Sequence, residues 1–121
     1  YENYAPQEFG PQTPTEDETI SMIKEYGQNS SEAMDIFSIW LSNKQKEYNE
    51  SEDEYSQLKF DMEVSNFCLK AGLIDEANRY CNYAWNFVNK FKFFENKITD
   101  DFSNMYKNLL ELSDNIDKEN F

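Results

Sequence analysis

The chain of 121 residues contains no histidine. That excludes Ser–His and Cys–His nucleophile pairs, His-bearing zinc sites and the Glu-x-x-His pairs of di-iron bundles. Its three glycines, Gly10, Gly27 and Gly72, are too scattered to make a phosphate-cradling loop. The single arginine, Arg79, leaves little for bidentate recognition of phosphate. Two cysteines, Cys68 and Cys81, are too few for a disulfide scaffold. No run of about 18 apolar residues exists to span a bilayer. Nor does a basic stretch lead into an apolar one, as a signal peptide requires. The expectation is an intracellular protein. The chain opens on Tyr1 rather than Met, so a removed or preceding N-terminal segment stays open.

What the sequence has is acid and rings. Net charge is −13 and aromatics reach 17%, although hydrophobic residues make up only 39%. Rings bury about 150–250 Å² each, so a few of them can supply a core in a polar chain. Excess negative charge argues against direct nucleic-acid binding and against anionic membranes, because phosphates attract lysine and arginine. The charge is lopsided: residues 1–64 carry 15 acids and four bases, whereas 65–121 carry nine acids and seven bases.

Residues 1–14 hold all three prolines and predict an extended arm, with Tyr1, Tyr4 and Phe9 as anchors on the helical body or on a partner. The remainder, 15–121, predicts a single all-α domain of about five antiparallel helices. Thr13-Pro14-Thr15-Glu16 reads as a capping box opening the first helix, which Gly27 ends. Ser30 or Ser31 caps a second helix to about Tyr48, with Ala33, Met34, Ile36, Phe37, Trp40, Leu41 and Tyr48 on its apolar face. Ser51-Glu52-Asp53-Glu54 reads as another capping box, opening a third helix to Ala71.

That third helix has two apolar faces. Tyr55, Leu58, Met62 and Leu69 line one, and Phe60, Val64, Phe67 and Ala71 line the other. Gly72 and Leu73 predict a Schellman closure, after which Asp75 caps a helix reaching about Ile98. At about 100° per residue, Tyr80, Cys81, Tyr83, Ala84, Trp85, Phe87, Val88, Phe91 and Phe94 spread over roughly 200° of that helix. So wide an apolar arc predicts the central element of the fold, enclosed on at least two sides. Thr99 caps a last helix with one stripe: Phe102, Met105, Tyr106, Leu109, Leu110, Leu112 and Ile116.

Ser65, Gly72, Ala77 and Ala84 stand in SNFCLKAGLIDEANRYCNYAWNF at the spacing of small residues in a helical hairpin whose backbones approach closely. On those positions, residues 61–94 resemble a single tetratricopeptide-type repeat. Cys68 and Cys81 replace the aromatics of that pattern, Asn89 stands in place of its closing proline, and no second copy follows. The resemblance implies a protein- or peptide-binding scaffold without catalysis.

Carboxylates are the remaining chemistry. Glu50, Glu52, Asp53 and Glu54 lack the alternating ligands and central glycine of a calcium loop, so no metal is expected. Cys68 and Cys81 read as buried thiols acting as small hydrophobes, with a disulfide across the hairpin as the alternative. Trp85, Phe87, Phe91 and Phe94 read as core rather than a ligand box, while Phe93 falls in the polar arc as a candidate contact. Neither catalysis nor a cofactor is expected. The function expected is a protein-interaction module (small adaptor, regulatory subunit or inhibitor), with Tyr1, Tyr4, Phe9, Phe93, Glu50, Glu52, Asp53 and Glu54 as contacts. Two alternatives are an acidic mimic of nucleic acid, such as a phage-borne inhibitor of a DNA- or RNA-handling enzyme, and a structural subunit of a larger assembly.

Overall fold

The computed structural model describes residues 15–94 and 99–119, with the side chains of 92–94 left aside. Tyr1, Tyr4, Phe9 and the side chain of Phe93 therefore lie outside the described residues. Five α-helices and no strand occur among those described: α1 (Glu16–Tyr26), α2 (Ser31–Asn49), α3 (Ser56–Ala71), α4 (Ile74–Phe94) and α5 (Asp100–Glu119).

Local chemistry sets most of the boundaries. The capping box of α1 lies two residues beyond the Thr13–Glu16 expectation. Thr15 Oγ1 accepts from the Glu18 amide at 3.2 Å, and Glu18 Oε1 accepts from the Thr15 amide at 2.9 Å. Gly27 ends α1 at φ +91°, and Ser30 caps α2 through the Ala33 amide. Gly72 adopts φ +82° at the end of α3. Leu73 N–H then bonds Cys68 C=O at 2.8 Å and Gly72 N–H bonds Leu69 C=O at 3.3 Å, the two bonds of the predicted Schellman closure. Leu73, not Asp75, occupies the position before α4, since Ala77 N–H already bonds its carbonyl. Thr99 caps α5 through the Phe102 amide.

The start of α3 corrects the second capping box. Ser51–Glu54 is not helical. Ser51 Oγ accepts from the Asp53 amide, and Asp53 Oδ1 accepts from the Tyr55 amide at 2.9 Å, so successive side-chain turns replace a cap. The turn delivers Tyr55 inward. Its ring meets Phe91 and Phe102, and its hydroxyl lies 3.0 Å from that of Thr99. Burying that ring outweighs starting the helix four residues earlier.

The helices zigzag. Trp40 stacks on Phe67 at 3.7 Å and Tyr48 meets Phe60 edge-on, so α2 runs antiparallel to α3. Ser65 Oγ donates to Ala77 C=O at 2.6 Å, closing the α3–α4 hairpin. Trp85 meets Tyr106, and Phe91 stacks on Phe102, so α5 runs back along α4. The odd-numbered helices touch one another in sequence (α1 with α3, α3 with α5), whereas α2 and α4 do not meet. This gives a row of three helices backed by a row of two.

The ring-rich helix α4 has helices against two sides, as its wide apolar arc predicts, but it is not the hub of the described helices. α3 touches all four other helices; α4 touches only α3 and α5. Of the two apolar faces expected of α3, Phe60, Val64, Phe67 and Ala71 are all buried on one, whereas on the other Tyr55 and Leu58 are buried and Met62 and Leu69 only half-buried. On α4, Ala77, Cys81, Ala84 and Val88 are buried, but Tyr80, Trp85, Phe87 and Phe91 are half-buried and Tyr83 is 46% exposed. Small residues let α4 approach α3, leaving its rings on the flanks of the seam. Cys68 and Cys81 are both buried free thiols, and burial pushes both thiols up in pKa.

Candidate functional site

On α3, Asp61, Ser65 and Cys68 are buried on the arc toward α4. Met62, Glu63 and Asn66 lie roughly 140° round the same helix, at 100° per residue. They form one wall of an open groove of about 290 Å³. The other wall is α5, where Asn108, Glu111 and Asn115 recur at i, i+3 and i+7 beside the buried stripe, with Leu112 at their base. The stripe makes this placement necessary: Phe102, Met105, Leu109, Leu112 and Ile116 turn inward, so the adjacent edge of α5 lines the seam with α3.

The two carboxylates of the groove differ. Glu63 is occupied from behind: Lys44 Nζ lies 2.7 Å from Oε2, and the Tyr48 hydroxyl donates to Oε1 at 2.5 Å. Burial pushes the Glu63 carboxyl up, but the ammonium and the phenol together hold it below the usual carboxylate range. The same contact raises Lys44, while burial and then Glu63 raise Tyr48. Lys44 Nζ also sits 5.9 Å from the centre of the Trp40 ring. By contrast, the side chains of Glu111, Asn66, Asn108 and Asn115 make no hydrogen bond or ion pair with another described residue. The groove thus offers three amides and one carboxylate over an apolar base of Met62 and Leu112.

The acidic segment is elsewhere. Glu50, Glu52, Asp53 and Glu54 are exposed in the α2–α3 turn. Asp53 pairs with Lys59, which holds its carboxyl below the usual range and raises the lysine. Tyr55 N–H adds to the effect on Asp53. Among the described residues, no three Cys, Asp or Glu side chains group to hold a metal ion. No helix among them is long and apolar enough to cross a membrane.

None of the groove residues figures among the contacts expected from sequence. A row of Asn108, Glu111 and Asn115 reads as an ordinary solvated edge. Only the parallel approach of α3 to α5 turns it into one wall of a concavity. The spacing was legible, but nothing in it named the opposing wall. In comparisons with known proteins, no family model, curated protein or solved structure matches this chain.

Proposed function

We propose that this chain is a non-catalytic protein-interaction module, an adaptor, regulatory subunit or inhibitor that works by occupying a partner. The observation that carries the reading is the α3–α5 groove, whose unoccupied amides and carboxylate stand on two packed helices rather than on a loop. Rigid elements place such groups without an ordering cost at binding. The zigzag adds support. Stacked helix pairs of tetratricopeptide-like geometry present an extended face for recognition, and the small residues of the α3–α4 seam suit that geometry.

The test is capture from source-cell extract on wild-type protein and on the triple variant N66A/N108A/N115A. The reading expects a protein retained by wild type, lost on the variant, and still retained in about 0.5 M salt, where surface charge is screened. Equal retention by both columns and by an unrelated acidic helical protein sinks it.

A second reading, the nucleic-acid mimic, draws on the exposed acids at Glu50, Glu52 and Glu54 and at Glu16, Asp17 and Glu18. Its signature in the same experiment is a retained DNA- or RNA-handling enzyme, released by salt and indifferent to the groove variant.

A further inference from the structure

Resting on the protein-binding reading, we infer that the α3–α5 groove takes an extended peptide segment of a partner, which presents a lysine or arginine side chain to Glu111. Of the two groove carboxylates, Glu63 already has Lys44 and Tyr48 as partners. Glu111 is exposed and pairs with no other described residue, although Lys107 stands one turn before it on α5. An arriving cation therefore finds its counter-charge at Glu111.

The amides select a backbone. Each asparagine carries one acceptor and two donors, matching the C=O and N–H of a peptide unit. Asn108 and Asn115 are seven residues apart on α5, about 10 Å at 1.5 Å per residue. That equals about three residues of extended chain at 3.3 Å each. Asn66 faces them from α3. Met62 and Leu112 give the stem of a long basic side chain an apolar bed.

Other ligand classes fit less well. Anions meet two carboxylates and no lining base. A purely apolar ligand finds two apolar side chains among the seven that line the groove.

The test selects a random 12-residue phage-displayed peptide library on the full chain and on its Glu111→Lys variant. Selected peptides are then synthesised and titrated by fluorescence anisotropy against wild type, E111K, E111Q and N108A/N115A, with thermal melts to confirm that each variant folds. Wild type is expected to enrich peptides sharing a Lys or Arg. E111K should weaken them about tenfold or more, and E111Q about threefold to tenfold, as loss of a charge-paired contact does. N108A/N115A should weaken basic and norleucine-substituted peptides alike. Norleucine in place of the shared base should weaken wild-type binding and leave E111K binding unchanged.

Enriched peptides with no shared base, or affinities unmoved by E111K in a folded protein, overturn this inference but leave the protein-binding reading standing on another surface. So does full competition by spermidine, which has charge but no peptide backbone. Failure to enrich any peptide above an unloaded support counts against both.

Discussion

α3 and α4 are adjacent helices that reach burial by opposite means. α3 turns Leu58, Phe60, Val64 and Phe67 inward and is covered on several sides. α4 carries more rings, yet among its described side chains those it buries are Ala77, Cys81, Ala84 and Val88, a stripe of small side chains at i, i+4, i+7 and i+11. Large side chains hold neighbours at a distance and fill the space; small ones draw two backbones together. The hairpin needs both kinds, since Ser65 reaches the Ala77 carbonyl only across a narrow seam. Ring content is therefore a poor guide to centrality: a ring beside a close seam is half-covered by its own helix and by the partner, and no third layer is required.

The strongest way to break this comparison is Phe67→Ala. Its ring is buried and stacked on Trp40, so urea unfolding should show a loss of about 3–5 kcal/mol. Half-buried Phe87 on α4, treated the same way, should lose clearly less. Next comes Ala84→Leu. It adds volume where α4 has no exposed surface, and overpacking there should cost about 1–3 kcal/mol. If Ala84→Leu is neutral, the seam is not close and the account of α4 is wrong.

Asp61 sharpens the comparison from the other side, as a carboxyl on the buried arc of α3. It is 2% exposed, and its described hydrogen-bond partner is the Gln57 amide at 3.1 Å. Burial raises its pKa to about 6, with the Gln57 bond acting in the opposite direction. Because the folded value exceeds the unfolded one, this group favours the native state when protonated. Stability from it falls as pH rises from about 4 to about 6 and is flat above. Asp61→Asn should then raise stability at pH 7 by about 1–3 kcal/mol, and the gain should fade toward pH 4. Chemical denaturation of both proteins across that range checks it, and a gain that does not depend on pH would count against the argument.

Smaller effects belong to Ser65 and Tyr83. Removing the Ser65 hydroxyl should cost about 1 kcal/mol, the usual net value of one buried hydrogen bond. Tyr83→Ala should stay within about 0.5 kcal/mol, because that ring is 46% exposed. A large loss at Tyr83 would restore the enclosed central rod that its helix suggested.

Much of the fold was legible residue by residue. The stripe of α5 apart from Leu110, which is 46% exposed, the Phe60–Ala71 face of α3, the Gly72–Leu73 closure and the Thr99 cap follow from periodicity and capping chemistry that act within a few residues. Three starts were misread, that of α4 by two residues because the Gly72–Leu73 closure runs straight into it. Thr13 and Thr15 both offer a hydroxyl followed by acid, and Thr15 pairs with Glu18. Ser51 also fits a box, but Asp53 captures the Tyr55 amide because the Tyr55 ring is needed between α4 and α5. The groove was not legible, since Asn66 and Asn108 are 42 positions apart and share no local signal.

Sequence alone determined that this is a helical protein, where most helices stop, and which side chains turn inward on α5 and on one face of α3, because those outcomes rest on backbone chemistry and a fixed 3.6-residue period. Tertiary structure decided which helix is the hub and where a concavity opens. Both depend on how closely whole surfaces approach, a quantity set by the partner face as much as by the helix itself.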